Sequence, residues 1–136
     1  MRVMPERNTK AGIHPNMSYF FIAATIALTV VGQILIKAGL SNTGSMPTRP
    51  DQLLGFVFAA ITDLRVVAGL ACAVLAYVSW IGALSVSDLS FAYPFLALPV
   101  VIVLALSASI LGESVSLLRW LGVIIVCAGL VIAARG

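Results

Sequence analysis

Charge is what this chain has least of. Only 10% of its 136 residues are Asp, Glu, Lys or Arg, against about 25% in a soluble domain. A soluble particle of this size needs more charge to cover its surface. An ordinary water-soluble enzyme, a disordered tail and a nucleic-acid-binding domain are thereby excluded. The net charge is only +3, so the basic pI does not point to a polyanionic partner. Histidine occurs once, at His14, in a polar tail. No Ser/His/Asp set, no glycine-rich phosphate loop after a strand and no cluster of metal ligands is found. No enzymatic activity, metal or other cofactor is expected. Cysteine occurs twice, as Cys72 and Cys127, each inside an apolar run. That pattern is neither a disulfide framework nor a CxxC metal site. Acidic residues number five, and none lies deep within an apolar run. A proton-driven exporter of cations needs such a carboxylate, to hold the proton and the substrate in turn.

What the chain has is hydrocarbon. The AVILMFWYC set makes up 61% of it and the mean hydropathy is +1.11. A membrane-spanning helix needs roughly 20 apolar residues. Four runs qualify, at about residues 18–40, 66–86, 89–111 and 117–134. The first is too long for the apolar core of a signal peptide, and no A-x-A pattern follows it. The expected fold is all-α: an integral membrane bundle of four transmembrane helices with short hairpin loops. Residues 1–17 form a polar N-terminal tail and residues 18–136 the transmembrane domain. Residues 41–50 are rich in turn formers and read as a loop. Residues 53–61 are apolar but too short to cross, and read as a short interfacial helix in loop one. Basic residues divide four against four between the two sides, so the positive-inside rule leaves single and dual topology open. The cluster Arg2, Arg7 and Lys10 before the first run favours cytoplasmic termini.

Polar residues inside the runs carry the functional signal. Thr25, Thr29, Gln33 and Lys37 recur every four residues along the first run, as one slowly drifting stripe. Threonine can satisfy its hydroxyl on its own helix, and Lys37 can snorkel to the interface. Gln33 is different: its amide has four hydrogen-bonding positions, and lipid satisfies none. Gln33 and Lys37 are therefore expected to line a cavity. Lys37, Arg65, Glu113 and Arg119 fall on one side of the membrane. They read either as interfacial anchors with a Glu113–Arg119 pair of little energy, or as a basic ring for a phosphate at headgroup depth. Pro94 and Pro99 lie in the third run, Pro94 near its first turn and Pro99 as a kink, and both are read as gating points. Tyr77, Trp80 and Tyr93 lie toward the Ser87-Asp88 hairpin, where an aromatic belt or a ligand wall would both place them. Gly122 and Gly129 share a face of the fourth run, read as a dimer interface, the alternative being packing within the subunit. Four short spans enclose little space, which also argues for an oligomer.

Four stretches occur in order: GQILIKAGL (32–40), LSFAYPFLAL (89–98), LGES (111–114) and RWLGVIIVCAGLVI (119–132). In these the chain resembles the four-helix branch of the drug/metabolite transporter superfamily, with its EamA-like repeat. Within that branch the pattern is most similar to the subunits of the aminoarabinose–undecaprenyl phosphate flippase. The resemblance implies a multi-pass transporter of the bacterial inner membrane with cytoplasmic termini. It implies a homo- or heterodimer of similar four-helix subunits that moves a lipid-linked sugar phosphate for lipopolysaccharide modification. Lys37 would then hold the phosphate, helped by Arg65 or Arg119. The sugar would pass Gln33, Tyr77, Trp80 and Tyr93 while the polyprenyl tail stays in lipid. The small multidrug exporters are similar in size, but their hallmark is an acidic residue in the first span, where this chain has Gln33 and Lys37. An exporter reading would have to use Glu113 or Asp88 as the proton carrier. A third reading is a non-transporting membrane partner of a glycosyltransferase. The polar tail and the segment 41–65 are longer than in the flippase subunits.

Overall fold

A computed structural model describes residues 15–135. Every regular element among the described residues is helical. Helix α1 is Pro15–Thr43, α2 is Pro50–Thr62 and α3 is Leu64–Val86. The next apolar segment is broken into α4 (Leu89–Ala92), a 3-10 turn (Tyr93–Ala97) and α5 (Leu98–Ile110). Helix α6 is Leu117–Arg135. Three helical segments are long and apolar enough to cross a membrane: α1, α3 and the broken segment from Leu89 to Ile110. Helix α6 is apolar but shorter by that measure. The basic residues of the N-terminal tail and His14 lie outside the described residues.

Helices α1 and α3 run antiparallel in close contact, and small residues bring them there. On α1, Ser18, Thr25, Gly32 and Gly39 recur every seven residues and are all buried. Gly69, Ala76 and Ala83 do the same on α3. The two ladders face each other. A Cβ on Gly32 would sit 2.9 Å from the Gly69 carbonyl oxygen, and one on Gly69 would sit 2.7 Å from that of Gly32. Without side chains the backbones meet directly, and dispersion between the close surfaces holds them together. Toward the other end the ring of Phe21 lies over Gly82. There Ile22, Ala83 and Ala92 form the buried core, with Trp80 and Phe95 packed against it.

Capping explains the helix limits. Asp63 caps α3, its carboxylate accepting from the amides of Arg65 (2.8 Å) and Val66 (3.2 Å), so α3 starts two residues before the apolar run. Pro50 opens α2 in the first turn, where its missing N–H costs nothing. Helix α2 presents Leu54, Val57, Phe58 and Ile61 outward and buries Ala60. A short helix thus covers the apolar segment 53–61, which is too short to cross a membrane.

The break in the third apolar run falls one turn earlier than the expected kink at Pro99. The helix tightens to 3-10 geometry over Tyr93–Ala97, and each proline stands in the first turn of a new segment, Pro94 in the 3-10 turn and Pro99 in α5. Proline supplies no donor to the turn before it, so the helix re-forms after each one. Helix α6 rests mainly on the 3-10 turn. None of its described side chains is buried.

Candidate functional site

The polar stripe of α1 turns out of the helix pair as it descends. A step of four residues rotates a helix position by about 40°. Thr25 therefore still faces α3. Its hydroxyl donates to the Phe21 carbonyl at 2.8 Å and reaches the Ala76 carbonyl at 3.5 Å. Three steps on, Lys37 has turned away from α3 to the open side of the helix pair. Between them, Thr29 and Gln33 form a ridge. Among the described residues no hydrogen bond engages the Gln33 amide.

A cleft lies on each side of this ridge. The first, of about 640 Å³, runs between α1, α3 and the 3-10 turn. Gln33, Lys37, Tyr77, Trp80 and Tyr93 all line it, together with Thr25, Thr29 and Leu96. The Trp80 and Tyr93 rings meet edge to face with centroids 5.9 Å apart, a favourable aromatic geometry. The second cleft, of about 490 Å³, lies between α1 and α5. Its wall is aliphatic, from Leu96 through Pro99, Val100, Val103 and Leu104 to Leu111, with Ser107 and Glu113 toward one end. Thr29, Gln33, Lys37 and Leu96 belong to both clefts. The Ser107 hydroxyl is already satisfied by the Leu104 carbonyl at 3.0 Å.

At the shared end, Lys37 Nζ lies 2.9 Å from Glu113 Oε1. The pairing of Glu113 with Arg119 is not what the structure contains. Gly112 is the cause. It takes φ +65° at the end of α5, the left-handed region that a side chain disfavours. The chain doubles back there, and the Glu113 amide donates to the Ser107 carbonyl at 3.2 Å. The Glu113 carboxylate is thereby turned toward α1.

Of the residues singled out in the sequence, Gln33, Lys37, Tyr77, Trp80 and Tyr93 come together in the first cleft, and Glu113 joins Lys37 and Pro99 in the second. Arg119 lines neither; its amide donates to the Ser116 carbonyl at 3.0 Å in the opening turn of α6. Arg65 lines neither as well, so no basic ring forms around Lys37. Pro94 sits in the turn behind the aromatic wall. Gly122 and Gly129 face open space, with nothing within 4 Å of a Cβ placed there. That removes close packing of these two glycines within the subunit. Sequence reasoning missed Leu96, the small-residue ladders and Gly112. The seven-residue spacing of Ser18, Thr25, Gly32 and Gly39 was the signal available for the ladders. No family model, curated protein or solved structure matches the chain.

Proposed function

We propose that this chain is a subunit of a membrane transporter that flips a polyprenyl-phosphate-linked sugar across the bacterial inner membrane. The observation that carries the reading is the first cleft. One ammonium group stands at one end of it, an unpartnered amide in the middle and three aromatic side chains along the far wall. That set suits a phosphate joined to a pyranose: Lys37 for the charge, Gln33 for a hydroxyl, and Tyr77, Trp80 and Tyr93 for the ring faces. The lining extends along α1 from Thr25 to Leu40, about 22 Å at the helical rise. A hydrocarbon core is about 30 Å thick, so the cleft is long enough for a headgroup to traverse most of it. The chain has no deep carboxylate for antiport against protons.

In this reading α6 is the fourth span, its 19 residues reaching about 28 Å. The termini are cytoplasmic, and Gly122 and Gly129 meet a similar four-helix subunit in a homo- or heterodimer. The resemblance to the four-helix drug/metabolite transporter branch supports the same assignment. The test is Lys37→Ala in reconstituted vesicles. Transport of the lipid-linked sugar is expected to stop while helical content and elution volume are unchanged. Full flipping by that variant overturns the phosphate-handle role.

One observation favours a second reading, a small multidrug or metabolite exporter. Glu113 is the one carboxylate that lines either of the two clefts. Toxic-cation resistance that vanishes in Glu113→Gln would select it.

A further inference from the structure

We infer that the two clefts are one two-compartment site for a phosphate-bearing amphiphile, with the apolar chain held between α1 and α5 and the ring-shaped head between α1 and α3. The inference rests on the flippase reading and adds where each part of the ligand lies. The clefts are not independent, because Thr29, Gln33, Lys37 and Leu96 line both. A molecule bridging them must cross the ridge beside Lys37, so the phosphate belongs at that crossing. The compartments differ in chemistry. The α1–α3 side offers Tyr77, Trp80 and Tyr93, whose faces and polar tips suit a hydroxylated ring. The α1–α5 side has no aromatic side chain, and beyond the shared ridge its one hydroxyl, Ser107, is already bonded to the Leu104 carbonyl. Its polar groups are confined to the shared ridge and to Glu113 at one end, and the α5 wall from Leu96 to Leu104 is aliphatic and suits hydrocarbon. Both volumes fall in the range of about 300–1,000 Å³ usual for ligand sites. The chain of the lipid is thus gripped by the protein during transfer and does not simply trail in the bilayer.

The test uses the full chain in phosphatidylcholine nanodiscs and two radiolabelled probes, a polyprenyl phosphate and the same lipid carrying one pyranose. Val103→Trp fills the aliphatic compartment and is expected to weaken both probes by about tenfold, within the range overpacking costs. Tyr77→Leu strips one ring from the other wall and is expected to weaken only the glycosylated probe, by about fivefold. Val100→Trp, at an exposed position on the same aliphatic wall, takes the place of Val103→Trp where that variant fails to fold. Unchanged binding of both probes in a folded aliphatic-wall variant overturns the compartment assignment. So does equal weakening of both by Tyr77→Leu. Binding of neither probe by the wild-type chain overturns the flippase reading itself, and the compartments with it.

Discussion

Lys37 is already paired, and that makes Glu113→Gln an informative perturbation. The wild-type ammonium meets the Glu113 carboxylate at 2.9 Å, with the two side chains 58% and 41% exposed. Two unit charges about 4 Å apart attract by roughly 1 kcal/mol in water and 4 kcal/mol at an effective dielectric of 20. Exposed pairs measured by double-mutant cycles retain only about 0.2–1 kcal/mol. This pair is open on both sides, so the lower range applies. A phosphate that binds Lys37 must compete with Glu113 for it. Glutamine keeps the size of the side chain and removes the charge. Glu113→Gln should then tighten binding of an anionic polyprenyl lipid by up to about fivefold, the equivalent of about 1 kcal/mol. Equilibrium binding to nanodiscs measures it. The gain should shrink as salt rises, because the screening length falls to about 3 Å at 1 M. It should also disappear in a Lys37→Gln background, since the two changes act through one contact. Loss of binding in Glu113→Gln, or a gain that persists without Lys37, refutes the competition and leaves the carboxylate as a working group of its own.

Further outcomes follow from the packing. Gly32→Ala forces a methyl to within 2.9 Å of a backbone oxygen and should destabilise the α1–α3 pair by about 1–3 kcal/mol, read by steric trapping or denaturant titration in mild detergent. Gly129→Ala has open space around it and should leave that stability unchanged, while weakening self-association in a crosslinking assay; an unaltered crosslinking yield would remove Gly129 from the dimer face. Gly112→Ala places a side chain at φ +65° and should cost about 1 kcal/mol. It should also steepen the salt dependence of probe binding, because at low salt Glu113 would no longer compete for Lys37.

Helix positions were legible in the sequence because each apolar run has a clear polar end. The limits shifted where a cap decides them, as at Asp63, or where polar residues such as Ser41 and Asn42 continue a helix past its apolar length. The aromatic side of the site was legible for a similar reason: polar and aromatic side chains stand out inside a hydrocarbon stretch. The partner of Glu113 was not. Arg119 is near it in the chain, and Lys37 is brought close only by the left-handed turn at Gly112 and the packing of α5 beside α1. Of the two readings of the charged residues, the basic ring does not form on the same ground, since Arg65 and Arg119 begin helices and line neither cleft.

The two periodicities of α1 account for the site as a whole. Positions seven apart drift slowly around a helix, so Ser18, Thr25, Gly32 and Gly39 stay against α3 along its length. Positions four apart drift the other way by about 40° per step. Thr25 belongs to both series. The stripe that begins there leaves the interface and opens onto the clefts by Gln33. One residue thus anchors the polar ridge to the most tightly packed contact in the fold. The distance from Gln33 to the wall of Tyr77 and Trp80 is governed by how closely α1 and α3 approach at Gly32 and Gly69. Any side chain added at those glycines must therefore widen the first cleft as well as weaken the pair. Gly69→Ala, which brings a methyl to 2.6 Å from Ile36 Cγ1, should lower affinity for a glycosylated probe more than for the bare polyprenyl phosphate, because only the ring depends on that spacing. Equal losses for the two probes would mean that the helix pair holds the fold together without setting the width of the site.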